Sequence, residues 1–203
     1  MAEKLIIDIY KNKHPEELTR LLAEKDSRLE AGSAAAMTAA SAAALFARAA
    51  AFTAEEIKND ARLDYIIRNS EIIRSYMVYL IDEDVKSRYP LRKAMKEGKA
   101  QEIEAARQPA VCIAAEIINM MGQCLELMEE LSAICPADAL HYLGEAAHLA
   151  MGAIRSCRVY ILSMADKCSD ETYRFVTRRE NELSLEKFSK FFESITVKVE
   201  ENI

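Results

Sequence analysis

Apolar residues recur every three or four positions along most of this chain, which is the spacing of one face of an α-helix. The longest such face runs from Leu63 to Asp84, and a second runs from Pro109 to Leu131. With the breaks between them, these patterns predict the following helical segments: Lys4 to about Lys25 with a potential break at Pro15, the alanine-rich stretch within Glu30–Thr53, Leu63–Tyr89, a short charged crossing around Gly98, Pro109–Leu131, Ala139–Ala165 and a last helix after Ser169–Glu171.

The alanine-rich stretch is the segment around which the other predicted helices are arranged. Thirteen of the twenty-one residues from Ala31 to Ala51 are alanine, the residue with the highest intrinsic helix propensity. Ser33 is the predicted N-cap, because its hydroxyl can accept from a backbone N–H that the first turn leaves free. Alanine side chains are short, so neighbouring helices can approach closely on several sides. The stretch therefore predicts a central helix.

Three signals predict helix ends. Pro15 stands where a first helical residue belongs, with two glutamates after it. Tyr89-Pro90 is predicted to end or kink its helix, because the residue before proline avoids helical dihedral angles. Ser169–Glu171 supplies caps for the last helix. The chain thus predicts an all-α fold: one domain of residues 1–203, formed by an antiparallel bundle of about five or six helices around the alanine-rich helix.

Composition narrows the class of protein. Only 5 Gly and 4 Pro occur in 203 residues, which favours helices over strands. A net charge of −6 argues against a nucleic-acid partner. Five cysteines without a CxxC pair are expected to be buried thiols in a reducing compartment. The first residues do not resemble a signal peptide, and Ala31–Phe52 lacks the Leu, Ile and Phe density of a membrane span. We therefore expect a soluble cytoplasmic protein with no membrane partner.

The acidic run Asp82-Glu83-Asp84 is the most informative local feature. On a helical projection, Asp84 lies within about 60° of Met77, Leu80 and Ile81, so it points with the buried face. Asp82 lies about 200° away from Asp84 and is expected to face water. A carboxylate on an apolar face must be paired, hydrogen-bonded or protonated. Asp84 is therefore a candidate for proton transfer, with an acid that pairs with an arginine at a helix end as the structural alternative.

His141, Glu145 and His148 share one face of their predicted helix, and Glu145 and His148 have the Glu-x-x-His spacing of metal sites in helical bundles. Those sites need a second such pair, and the remaining histidine, His14, has no acid three residues before it. We therefore expect no metal, and interpret this face as a polar or interface surface. The sequence also contains no phosphate-binding P-loop and no Rossmann glycine pattern.

Three segments, taken in order, resemble the cyclodeaminase/cyclohydrolase family, which includes the C-terminal domain of formiminotransferase-cyclodeaminase and bacterial methenyltetrahydrofolate cyclohydrolases. They are EAGSAAAMTAASAAALFARAAAFT, LIDEDVKSRYPLRKAM and QPAVCIAAEIINMMGQCLELMEEL. They are similar to the family's Gly-Ser turn with its alanine-rich helix, to its acidic segment, and to the helix that follows. The resemblance spans roughly residues 15–165.

The resemblance implies an all-helical homodimer that binds a tetrahydrofolate derivative as its substrate. The implied reaction is hydrolysis of methenyltetrahydrofolate to 10-formyltetrahydrofolate, or loss of ammonia from formiminotetrahydrofolate. In either reaction Asp84 would be the general acid or base. Gly32 and Ser33 would bind the pteridine or the one-carbon bridge, and Asp82 would also contact the substrate.

The chain departs from the family pattern at several of these positions. The family's Pro-Gly-Gly-Gly-Ser turn is replaced here by Leu29-Glu30-Ala31-Gly32-Ser33, and its Ser-Asp pair by His141-Tyr142. Arg48 and Ala51 stand where the family tends to have Met and Asn. Glu30 is expected to repel an anionic folate tail. Two alternatives to an active enzyme therefore stay open: a catalytically degenerate folate-binding or assembly subunit of the same fold, and a helical metal-binding or interaction protein that uses the His141 face.

Overall fold

The computed structural model describes residues 9–202 of the chain. These residues form seven α-helices and no strand, so the predicted all-α bundle is confirmed. The helices are α1 (Pro15–Ala23), α2 (Ala31–Glu56), α3 (Ala61–Glu97), α4 (Ala100–Arg107), α5 (Cys112–Ser132), α6 (Leu140–Ala165) and α7 (Glu171–Glu200). Two single 3-10 turns, Tyr10–Asn12 and Pro109–Val111, precede α1 and α5. The first residues of the predicted Lys4–Lys25 helix lie outside the described residues.

Helix α2 is the central helix, as the alanine content predicts. It packs against α3, α5 and α6. Eight of its fourteen alanines are buried, and Phe46 is its one fully buried large side chain. Both α2 and the helical stretch Ala100–Ser132 are long and apolar enough to cross a membrane. In their most apolar 18-residue segments, 44% and 50% of the residues, respectively, are buried inside the bundle. Helices in the core of a bundle have the same apolar composition as membrane-spanning helices. In this structure the apolar residues of α2 pack against the neighbouring helices.

Helix α3 continues through Pro90 to Glu97. Of the two predicted alternatives at Tyr89-Pro90, an end or a kink, the helix end is therefore wrong. Proline inside a helix removes one backbone hydrogen bond. The turn beyond it is held in place because Leu91 and Ala94 are buried against the bundle. The helix ends instead at Gly98, which takes the left-handed conformation with φ 67° and donates its amide to Ala94 O. Because the helix continues, Arg88 and Arg92, which lie one turn apart on α3, both face the start of α2.

The predicted caps of α1 and α7 are present. Pro15 is the first residue of α1, and the side chain of Asp170 accepts a hydrogen bond from the amide of Tyr173 at the start of α7. The predicted buried thiols are only partly confirmed, because Cys124, Cys157 and Cys168 are buried whereas Cys112 is exposed. Cys112 is the first residue of α5, at the rim of the bundle.

Candidate functional site

Gly32, Ser33 and Asp84 meet where the first turn of α2 crosses the middle of α3. Ser33 Oγ lies 3.0 Å from Asp84 Oδ2 and 3.1 Å from the carbonyl oxygen of Ile81. The exposed fractions of Ser33 and Asp84 are 0% and 1%. The sequence projection that placed Asp84 on the buried face of its helix is therefore confirmed.

Ser33 is not the N-cap of α2. The helix begins two residues earlier, at Ala31, and Glu30 is the N-cap residue, with no capping bond from its side chain among the described residues. Ser33 consequently lies inside the first turn, where its hydroxyl is directed across to α3. The helix start thus supplies a hydroxyl to the carboxyl group of Asp84 instead of capping itself.

Gly32 provides the space that the Asp84 carboxyl group occupies. A Cβ atom added to Gly32 would lie 2.1 Å from Asp84 Oδ1, and the three nearest heavy atoms would all belong to Asp84. This approach is too close for any side chain at position 32. Within the described part of the chain, Asp84 Oδ1 is buried without a hydrogen-bond partner. The glycine is therefore required by packing against a side chain, since it lies in regular helix.

Burial raises the pKa of Asp84 above its ordinary value, and this effect outweighs the opposing influence of Arg88 and of the hydrogen bonds from Ser33. The Ser33 hydroxyl has one proton but two acceptors within reach. When Asp84 is protonated, its O–H can donate to Ser33 Oγ while Ser33 donates to Ile81 O. The geometry thus satisfies both hydroxyl groups in the protonated state, and the pair is suited to hold and release a proton.

The raised pKa predicts how Asp84→Asn changes stability with pH. The folded protein retains the Asp84 proton at pH values where the unfolded chain, with a pKa near 3.8, has released it. The stability that Asp84 contributes is therefore fully present below that value and is lost as the pH rises through the folded pKa. Asparagine stays neutral, so we expect Asp84→Asn to be more stable than wild type at neutral pH, with the difference shrinking as the pH falls towards the unfolded value. Thermal unfolding across this range measures it, and a pH-independent difference would contradict the prediction.

Three charged side chains extend this site: Glu30 before α2, and Arg88 and Arg92 on α3. Arg88 pairs with Glu30 and lies 3.7 Å from Asp84 Oδ2, while Arg92 pairs with the other oxygen of Glu30 at 2.5 Å. The guanidinium of Arg88 stacks over the ring of Tyr160, 4.2 Å from its centroid. Glu30 is therefore neutralised by two arginines, and Asp84 is enclosed beneath Arg88.

Sequence reasoning missed Arg88, Arg92 and Tyr160. The available signal was spacing, because Arg88 follows Asp84 by one helical turn and Arg92 follows by two, so all three share one face. The structural alternative, an acid paired with an arginine, is thus partly present in Arg88, at a distance longer than a hydrogen bond. Tyr160 lies on α6, and no local pattern connects it to α3.

Asp82 is buried, with 5% exposure, so the prediction that it faces water is wrong. Its Oδ1 accepts hydrogen bonds from the backbone amides of Tyr10 at 2.7 Å and Lys11 at 3.2 Å. The 3-10 turn before α1 lies across this face of α3, and a projection of one helix does not include chain segments that pack on it. Asp82 thus binds the 3-10 turn that precedes α1 to α3. A contact between Asp82 and a substrate stays a prediction.

The face of His141, Glu145 and His148 lines an open groove of about 700 Å³ formed with Leu45 and the end of α7. Its lining includes none of the residues around Asp84. The ring of His148 meets Phe192 edge-on at 4.9 Å. Over residues 9–202, no group of three or more His, Cys, Asp or Glu side chains is placed to hold a metal ion. Among these residues, the face of His141, Glu145 and His148 therefore does not form such a group.

Comparison with known proteins adds the following. The sequence model of a protein family described as formiminotransferase-cyclodeaminase matches residues 15–183. No curated protein sequence matches the chain. The fold is similar to the crystal structure of a formiminotetrahydrofolate cyclodeaminase from Thermotoga maritima, with a TM-score of 0.85 and 20% sequence identity, over 94% of this chain and 98% of that one. At this identity the structural likeness concerns the fold, whereas the family match covers most of the sequence.

Proposed function

The chain belongs to the formiminotransferase-cyclodeaminase family, and we propose on this premise that it is a folate one-carbon enzyme, either a methenyltetrahydrofolate cyclohydrolase or a formiminotetrahydrofolate cyclodeaminase. The observation that carries the proposal is the buried pair of Asp84 and Ser33 at the start of α2, 3.0 Å apart. We also propose that the chain is one cytoplasmic domain, acts as a homodimer and takes a tetrahydrofolate derivative as its substrate.

In the cyclohydrolase reaction, water adds to the electron-poor carbon between N5 and N10 of methenyltetrahydrofolate. Ionised Asp84 accepts the proton that this water loses, which gives a neutral carbinol. The carbinol O–H then loses its proton as the C=O bond forms, the bond from N5 to this carbon breaks, and N5 takes a proton from Asp84. The sum is one water consumed and one proton released. A carboxyl group with a raised pKa is suited to both transfers.

In the cyclodeaminase reaction, N10 attacks the formimino carbon of the substrate. The formimino nitrogen reacts in its protonated form, C=NH2+, so the attack leaves it as a neutral amino group. Asp84 accepts the proton that N10 loses, and the amino group must gain one proton before the C–N bond breaks, which releases ammonia and leaves methenyltetrahydrofolate. Protonated Asp84 supplies it. The same carboxyl group therefore serves both reactions, and Ser33 keeps it oriented. Because Asp84 is 1% exposed, substrate reaches it only when the side chains that cover it move.

One observation favours a second candidate, a folate-binding subunit without turnover. Glu30 replaces a glycine of the family pattern and pairs with Arg88 and Arg92 above Asp84. If this cluster never opens, a folate could be bound at the surface of the site without reaching the carboxyl group.

The proposal is tested with purified protein. We expect methenyltetrahydrofolate to lose its near-ultraviolet absorbance, or formiminotetrahydrofolate to release ammonia, faster than in buffer alone. Both substrates are needed, since either reaction supports the proposal. If neither is turned over, calorimetry with the same two compounds separates the remaining cases: binding without turnover identifies the folate-binding subunit, and absence of binding rejects both.

A further inference from the structure

Glu30, Arg88 and Arg92 form a compact cluster at the start of α2, and none of the three was singled out by its sequence pattern as a binding residue. Each oxygen of the Glu30 carboxylate contacts a different arginine. We infer that Glu30 is a built-in anion, which occupies a two-arginine site for a carboxylate or phosphate group beside the Asp84–Ser33 pair. Glu30 thereby determines which ligands the site accepts.

Arg92 is held in position by groups other than Glu30. Its Nη2 donates to the backbone carbonyl of Arg28 at 2.9 Å, and its Nη1 lies 3.4 Å from that of Ser27. These carbonyls belong to the segment that leads into α2, so they fix the guanidinium at the mouth of the site. Removal of the Glu30 side chain would leave these contacts in place.

Arg88 is also positioned independently of Glu30. Its guanidinium stacks on the ring of Tyr160 at 4.2 Å, and Tyr160 in turn lies 3.4 Å through its hydroxyl from Ala110 O. Only 9% of the Arg88 side chain is exposed, and its Nη1 has no hydrogen-bond partner among the described residues. This Nη1 lies 3.7 Å from Asp84 Oδ2, which is longer than a hydrogen bond. The desolvation of the buried guanidinium is therefore only partly compensated, above all when Asp84 is protonated, and such a group attracts an anion.

The local field also favours an anion at this place. The first turn of α2 presents backbone amides that have no acceptor within the helix itself, together with the positive end of the helix dipole. Two guanidinium groups add donors with the planar geometry that matches carboxylate and phosphate oxygens. Asp84, at 3.7 Å from Arg88, opposes this field in its ionised state and not in its protonated one. The site is thus built for one further negative group, and Glu30 supplies it.

The consequence for the substrate rests on the proposed function. While Glu30 is in place, the part of a ligand that lies here must be neutral or cationic, as the one-carbon bridge of methenyltetrahydrofolate is. A ligand that brings its own carboxylate to this position must displace Glu30. The alternative is that Glu30 only clamps α3 beyond Pro90 to the start of α2, in which case its removal would change stability without creating an anion site.

We test the inference by titrating inorganic phosphate and, separately, glutarate into wild type, Glu30→Ala and Glu30→Gln, using calorimetry at low ionic strength. Glu30→Ala should bind both anions about 10- to 100-fold more tightly than wild type, as expected for one charge-assisted interaction site that is set free. Glu30→Gln should gain less, because the amide still fills the position. Adding Arg92→Gln to Glu30→Ala should abolish the gain.

Glu130→Gln is the matched control. Glu130 forms an exposed ion pair with Arg62, at 2.7 Å on both oxygens, and this pair involves a single arginine. Its removal should not increase anion affinity. Equal anion affinity in wild type and folded Glu30→Ala, with folding checked by circular dichroism, would overturn the inference, as would an equal gain in Glu130→Gln. These titrations need no substrate, so a failure of the enzyme assays with the anion gain intact rejects only the proposed function.

Discussion

Replacement of Asp84 by asparagine is expected to lower the turnover of methenyltetrahydrofolate by about 100- to 10,000-fold, the usual contribution of a positioned acid or base. Asparagine has the same shape and can still bond to Ser33, but it cannot accept or release the proton. Substrate affinity should change far less than turnover, because the contact is retained. Single-turnover measurements with calorimetric binding data distinguish the two effects.

Glu83→Gln is the control for this experiment. Glu83 belongs to the same acidic run but pairs with Lys86 at 2.5 Å on the outer side of α3. Its replacement should leave turnover within a few-fold of wild type. Unfolding cannot explain a loss in Asp84→Asn, because that variant is expected to be the more stable protein at neutral pH. Turnover by Asp84→Asn at the wild-type rate would remove Asp84 from the reaction.

The spacing of apolar residues every three or four positions identified most of the residues that each helix buries. Period alone placed Asp84 with the apolar residues of α3, and it is buried with 1% exposure. Alanine content alone predicted that α2 is central. Both properties depend on residues within a single helix, so the spacing and composition of that helix are sufficient to detect them.

The wrong predictions share a different cause, which is contact with segments that are distant in the sequence. Asp82 is buried by a segment seventy-two residues away. Pro90 is accommodated within α3, whose following turn is buried against neighbouring helices. Ser33 bonds to Ile81 O and Asp84 on α3 instead of capping its own helix, and both groups are about fifty residues away in the sequence. A pattern within one helix contains no information about these partners.

The ion pairs of Glu30 illustrate the same limit at the candidate site. Glu30 and Arg88 are 58 residues apart, and from the sequence Glu30 was expected to repel an anionic ligand. Its charge is in fact neutralised by two arginines. The repulsion expected from the sequence is therefore replaced by a competition, in which an incoming anion and Glu30 contend for the same guanidinium groups.

Gly32→Ala is expected to destabilise the wild-type protein by about 1–3 kcal/mol, the usual cost of forcing extra atoms into a packed site. The added Cβ would lie 2.1 Å from Asp84 Oδ1, so Asp84 must move and its alignment with Ser33 is lost. Turnover should fall in the same variant. Denaturant unfolding of Gly32→Ala and wild type, at a pH where both are folded, measures the free energy.

A double-mutant cycle makes the cause of this effect testable. The three atoms nearest to the added Cβ all belong to the Asp84 carboxyl group, so Asp84→Ala should remove the clash. In that background Gly32→Ala should become neutral, or stabilise by up to about 1 kcal/mol, because alanine favours helix over glycine. The reversal of sign is the expected coupling between contacting residues. If Gly32→Ala lowers the free energy of unfolding equally in both backgrounds, the close approach of the Asp84 carboxyl group is not the reason that position 32 requires glycine.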